Sequence, residues 1–597
     1  MKARAALALL FLIAGIAIAY QIRAAQQPAA APSLTAYVPQ DALLTIESPD
    51  FASLLHQWTN SAESKSWLAS DNYSVFQNSR LFGRLSDAQT SFAKAAGIPA
   101  GVDLLNQVAG KQSVFAWYDI GKLEFLYITR MPAEQADRTQ LFQARSTFER
   151  RHAGNTDFYI RTSGADYGTV AFARVPGPSG DLVLLATRED LIANALKLIA
   201  AASTTNSIRQ EAWFRDVSAA LPAEKPAPVL HMVLNLDRIA VDPHFRSYWI
   251  QRNITWTRQF RAAASDLYVE PARFREERVL LPNSTQAATA NRNLAPLTVL
   301  VPPSTGVYRV VATQDPSVAI TAIQEKLLGS YTAPPDPEYA PDPSLQTPQA
   351  GSAGDLETRI DTLPPASATA STDGLAQVFQ STGVDAVLTV SSAETPAEQG
   401  GLWVPIHSAV VLHAAGPANP QTLASALQQT LRGGLTTASI GINFQPTTIA
   451  GAAIYALTGP RPLFFAISTT PAQGNLVLLA DDQALLSELL HNLAVSSPEK
   501  TASPATLIAV FNHSSQRAPY LRLTSLIDGT NNQTRDSRKA VAIAPNEMVG
   551  VASAPTFFSR NLGSLSDAFA NLQSERVVER IIDSNLRQSV TYIWETQ

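Results

Sequence analysis

The spacing of apolar residues changes period along the chain, and each change marks an expected element. Phe51, Leu54, Leu55 and Trp58 fall at i, i+3, i+4 and i+7, the stripe an amphipathic helix lays on a core. Ile320, Ile323 and Leu327 repeat the pattern at i, i+3 and i+7. Asp50 and Asp315 stand just before these helices, where a carboxylate can accept from the free N–H groups of a first turn. Other apolar runs are short and β-rich. Val114–Tyr118 and Phe125–Thr129 flank Asp119–Glu124, which contains Gly121-Lys122, so a hairpin is expected there. Close strand neighbours of this kind favour antiparallel pairing, and with the helices they predict an α+β fold.

Compared with itself, the chain shows matches in a constant order. Leu34-Thr35-Ala36-Tyr37-Val38-Pro39 recurs as Leu297-Thr298-Val299-Leu300-Val301-Pro302. Gly180-Asp181-Leu182-Val183-Leu184-Leu185-Ala186 recurs as Gly474-Asn475-Leu476-Val477-Leu478-Leu479-Ala480. The helices that follow keep step, with Leu191, Leu196 and Ala200 opposite Leu485, Leu490 and Ala494. Pro228 to Asn235 resembles Pro504 to Asn512, and Arg252-Asn253-Ile254 resembles Arg560-Asn561-Leu562, each triplet opening an expected helix. A single short apolar match arises by chance, but a series in one order points to repetition. Two tandem copies of one α+β domain are expected, 34–281 and 297–597, joined by a polar linker at 282–296. The second copy carries an insertion, 331–372, with eight prolines and almost no apolar periodicity. Such a stretch cannot offset its ordering entropy and is expected to be disordered.

The N-terminus has a different pattern. Lys2 and Arg4 precede an apolar run from Ala5 to Tyr20, which ends at Gln21 and Arg23. A positive start before an apolar helix is the signature of an export signal, and the positive flank stays cytoplasmic. Residues 1–25 are therefore expected to be a signal peptide or a signal-anchor helix, followed by a Pro/Ala spacer at 26–33. Retained, the segment makes a single-pass inner-membrane protein with a periplasmic domain and the cell membrane as its first partner. Cleavage after Ala17-Ile18-Ala19 would instead release a periplasmic or secreted protein.

Composition narrows the remaining classes. A chain of 597 residues is too long for one ordinary core. Its 46% hydrophobic residues suit a folded protein, and a net charge of −5 supplies no basic stripe for nucleic acid. The absence of cysteine removes disulfides, thiol nucleophiles, Cys-ligated metals and a lipoprotein attachment site.

No residue pattern names a catalytic, cofactor or metal site. His407 and His413 share a strand face but lie roughly 20 Å apart at about 3.3 Å per residue, too far for one metal. His231, in an apolar run, reads as a hydrogen-bonded core residue, and His513 does not reproduce it in the second copy. Ser497-Pro498-Glu499-Lys500 has S-x-x-K spacing in a turn-rich context that opposes an active-site helix. Gly433-Gly434 reads as the C-cap of a helix over Gln421–Leu431. Trp249, Trp256 and Phe260 fall at helical spacing, a core pattern, and Arg252, Arg258 and Arg261 read as a solvated face.

The opening Val38-Pro39-Gln40-Asp41-Ala42-Leu43-Leu44, with the Pro49-Asp50 helix start and the export segment, resembles a bacterial family of exported, N-terminally tethered envelope proteins with a domain of unknown function. The resemblance covers the first twenty or so folded residues, and it implies a compartment and no active site. The sequence therefore leads to a non-enzymatic envelope protein, a binding or structural module with an envelope protein or ligand as partner. The alternative is a periplasmic hydrolase whose dispersed groups meet only in the fold, with a histidine such as His152 or His244 against a carboxylate.

Overall fold

The computed structural model describes residues 33–594, apart from 243–256, 285–289, 329–371, 394–405, 435–442, 496–502, 518–570 and shorter stretches of one to three residues. The expected signal segment, the insertion, the S-x-x-K tetrapeptide, His244, Trp249, Arg252, Trp256 and the two Arg-Asn helix starts lie outside the described residues. Among the described residues no helix is long and apolar enough to cross a membrane.

The protein mixes α-helices with antiparallel sheet. By proximity it forms two compact units: the residues up to His56 with Arg84–Asp216, and Gln57–Gly83 with the residues from Val217 onward. The first unit holds β1 (Leu44–Ser48), β2 (Ser113–Asp119), β3 (Glu124–Met131), β4 (Glu149–Ala153), β5 (Thr156–Thr162), β6 (Thr169–Val175) and β7 (Asp181–Ala186). Their order across the sheet is β4-β5-β6-β7-β3-β2-β1, antiparallel throughout. The expected hairpin is β2–β3, with Trp117 opposite Phe125.

Both faces of this sheet are covered, which explains why β7 is apolar at nearly every position: no face is left for polar alternation. On one face α4 (Glu189–Ala201) buries Leu191, Ile192, Ala195 and Leu196. On the other, Tyr127, Phe172, Val183 and Leu185 form a core with Ala95 and Ala96 of α2 (Arg80–Ala96) and Leu104 and Val108 of α3 (Val102–Val108). Earlier in the chain, α1 (Phe51–Asn60) starts as expected, with Asp50 accepting from the Ser53 N–H at 3.1 Å.

The second unit repeats the strand plan and extends it. Its strands are β8 (Leu230–Asn235), β9 (Phe260–Glu270), β10 (Arg273–Pro282), β11 (Val307–Ala312), β12 (Val384–Ala393), β13 (Ile406–Ala414), β14 (Gln445–Ile449), β15 (Ala452–Leu457), β16 (Leu463–Thr470), β17 (Gly474–Ala480), β18 (Leu507–Asn512), β19 (Leu572–Ile582) and β20 (Asn585–Trp594). The order β14-β15-β16-β17-β13-β12-β11 matches that of β4 to β1 strand for strand. It continues through β18-β19-β20-β10-β9-β8.

Helices cover both faces of the β14-β15-β16-β17-β13-β12-β11 part. On one, α8 (Gln483–Val495) packs with Val310, Leu388, Val411 and Leu478. On the other, α5 (Pro316–Ile323), α6 (Asp373–Thr382) and α7 (Pro420–Gly434) pack on Val387, Val410, Leu412 and Phe465. Asp315 caps α5 by accepting from Ser317 N–H at 2.9 Å. Helix α7 runs on through Gly433-Gly434 instead of stopping at Leu431, and Phe260 opens strand β9, so helical spacing at that residue did not mean a helix.

Candidate functional site

The two units carry one aromatic motif in common. Phe148 precedes β4 and meets Phe172 edge-on at 4.9 Å, while Tyr159 stacks on Phe172 at 5.4 Å. Phe444 precedes β14 and meets Phe465 edge-on at 5.1 Å, while Tyr455 stacks on Phe465 at 4.7 Å. The register puts Tyr159 opposite Phe172 and Tyr455 opposite Phe465 in the same strands of each plan. Phe172 and Phe465 are fully buried, so both trios are core.

The turn glycines that precede β7 and sit at the start of β17 also correspond. Gly180 has φ +104° and Gly474 has φ +77°, values that residues with a Cβ rarely adopt. A Cβ at Gly474 would stand 2.8 Å from His413 Nε2, and one at Gly180 would stand 3.1 Å from the Met131 carbonyl oxygen.

Where the frameworks differ, a cleft appears. In the first unit, α2 and the β2–β3 hairpin enclose about 680 Å³, within the size range of small-molecule sites. Phe92, Phe115, Trp117 and Phe125 line it. Phe125 stacks on Phe115 at 5.4 Å and on Phe92 at 6.3 Å, and Trp117 meets Phe115 edge-on at 6.0 Å. These rings are half-buried, unlike those of the Phe172 trio's centre.

Arg84 donates to the Gly121 carbonyl at 2.7 Å, tying α2 to the hairpin turn. Glu124 accepts from Arg188 at 2.8 Å. Arg84, Lys122, Asp87 and Glu124 line the cleft together, two cations and two anions whose charges cancel.

Two features of the wall cost stability. Leu123 sits at φ 57°, a left-handed conformation that costs a β-carbon residue roughly 1–2 kcal/mol. Trp117 Nε1 is shielded from solvent and has no hydrogen-bond partner among the described residues, a cost of about 1–3 kcal/mol.

In the second unit, register places Thr389, Ser391 and Ser408 where the first has Phe115, Trp117 and Phe125. Thr187 accepts from Phe125 N–H at 2.9 Å, and Asp481 does the same for Ser408 N–H at 2.8 Å. Burial raises the Asp481 pKa above the usual carboxylate value, opposed by the bond from Ser408. The aromatic residues are thus not demanded by the strand plan. A second hollow in the first unit, about 270 Å³ between Gln107, Gln135 and Thr139, is smaller.

Four histidines lie beside carboxylates, each at a different place. His231 Nδ1 lies 2.6 Å from Asp266 Oδ1, with Asp266 buried and Tyr268 Oη donating to it at 3.5 Å. Burial and then Asp266 push the Tyr268 phenol up to about 12. His413 pairs with Asp385, which also accepts from Arg292 at 2.7 Å. His407 lies 3.8 Å from Asp481, and His152 pairs with Asp157 at 2.5 Å on the exposed β4–β5 hairpin. His513 packs edge-on to Phe511 at 4.4 Å, and burial lowers its pKa. None of these histidines lines the aromatic cleft. Among the described residues no group of three or more His, Asp or Glu side chains is placed to hold a metal.

Sequence reasoning missed the cleft because Phe92, Phe115, Trp117 and Phe125 look like ordinary core residues. Strand register, which the sequence does not display, sets Ser391 and Ser408 at the positions of Trp117 and Phe125.

No family model matches the chain, and a search of curated proteins returns no match. Among solved structures, crystal form I of TP0453 aligns over 45% of this chain and 84% of its own, at 11% identity and a TM-score of 0.23, a score that carries no argument about shared architecture.

Proposed function

We propose that this chain is an exported, membrane-tethered envelope protein acting as a non-enzymatic binding module built from two copies of one α+β domain. The observation that carries the reading is one strand plan used twice, with an aromatic cleft on the first and small polar residues at matching positions on the second. The repeated aromatic trios and turn glycines support duplication, since neither is required by chain connectivity.

The β10–β20 pairing supports it as well. Glu277 and Ser589 are each the fifth residue of their strand and face each other, with Ser589 Oγ donating to Glu277 at 2.7 Å. Equivalent residues meeting in this way mark a local two-fold relation between repeats. On this reading the copies are 34–281 and 297–597, and β10–β20 joins them.

Export rests on the charged-then-apolar leader. Fractionation of cells making the full chain should place it in the inner membrane, and a pull-down from detergent-solubilised envelopes should recover an envelope partner or ligand. Intact product among cytosolic proteins, or a partner-free pull-down with measurable turnover, would overturn the reading.

The rival, a periplasmic hydrolase, draws on the His231–Asp266 pair. It requires hydrolysis that His231→Gln abolishes.

A further inference from the structure

We propose that the cleft between α2 and the β2–β3 hairpin is a binding site for a compact, uncharged aromatic molecule. The proposal rests on the binding-module reading and names the ligand class for it. Three observations lead to this class. The lining offers half-buried rings of Phe92, Phe115, Trp117 and Phe125, and aromatic partners favour the offset and edge-on contacts these rings already make with one another. The rim carries Arg84 and Lys122 against Asp87 and Glu124, so charge complementarity favours a ligand without net charge. Leu123, held left-handed, and Trp117, with its indole N–H unmatched, both belong to this wall, where unrelieved strain is a mark of a functional surface.

The second unit provides the internal control. Its matching strands carry Thr389, Ser391 and Ser408, so the first unit's rings answer to something other than the fold.

The test is a fluorescence titration of the full chain in detergent with N-phenyl-1-naphthylamine, an uncharged aromatic probe. Saturable binding at one site per chain is expected, with the anionic 8-anilino-1-naphthalenesulfonate binding at least fivefold more weakly. A Phe115→Thr/Phe125→Ser variant, which installs the second unit's residues, should weaken the neutral probe at least tenfold. Leu85 lines the cleft from α2 and is 43% exposed, so Leu85→Glu leaves the core untouched and should weaken binding about fivefold by replacing an apolar contact with a carboxylate that the ligand must desolvate. Binding unchanged in both variants, or no saturable binding at all, overturns the site. Capture of an envelope partner without probe binding would refute the site alone, whereas turnover with no partner would refute the binding-module reading.

Discussion

Removing the ring at the centre of either aromatic trio should unfold its own part of the sheet first. Phe172 and Phe465 are both 0% exposed. Phe172 meets three rings, Phe142 at 5.0 Å, Phe148 at 4.9 Å and Tyr159 at 5.4 Å. Phe465 meets two, Phe444 at 5.1 Å and Tyr455 at 4.7 Å. Truncating a buried phenylalanine to alanine costs about 3–5 kcal/mol through lost transfer energy and the cavity left behind. Each ring pair adds about 0.5–1.5 kcal/mol beyond area burial, so Phe172→Ala should fall at the upper end and Phe465→Ala nearer the lower. The assay is hydrogen exchange read by mass spectrometry on the full chain. Phe172→Ala should speed exchange in β5–β7, and Phe465→Ala in β15–β17. Tyr159→Phe, which keeps the ring, should leave exchange almost unchanged. A loss below about 1 kcal/mol for Phe465→Ala would refute the claim that the trio organises its core.

Three further outcomes follow from the same geometry. Gly474→Ala meets both a positive φ and His413 Nε2, so it should cost about 1–3 kcal/mol in chemical denaturation. Measured against His413→Ala alone, which itself loses the bond to Asp385, Gly474→Ala should cost less by the steric part only, and no remaining cost would show that the backbone is unstrained. Asp315→Ala removes the acceptor for Ser317 N–H and should lower stability by about 1 kcal/mol in the same assay. Because burial raises the pKa of Asp481, its ionisation opposes folding, and that penalty appears as pH rises through the folded value. Asp481→Asn should therefore raise the melting temperature at pH 7, with the gain fading as pH falls below the ordinary carboxylate range. A gain that persists in acid would refute that cause.

How much of this was legible beforehand can be argued from particular residues. Asp50 and Asp315 were readable as caps because the rule is local: a carboxylate one position before a helix meets the N–H groups of its first turn. The β2–β3 hairpin and the strand-then-helix runs at Leu182 and Leu476 were readable for the same reason, since period and turn chemistry act over a few residues. Phe260 is buried, as its core pattern implied, but it opens a strand, because spacing over a few aromatic residues also fits a strand start and pairing with β10 decides the matter.

By itself the sequence determined the α+β mixture, the helix starts and the order of matching segments, all of which are written in near-neighbour chemistry. Tertiary structure decided which strands pair, and through them that Trp117 shares a wall with Phe92, that Glu277 faces Ser589, and that His231 meets Asp266. Those contacts join residues tens to hundreds of positions apart. Their formation depends on sheet register and on helices covering both faces, and a one-residue slip of a strand would turn every one of its side chains to the opposite side.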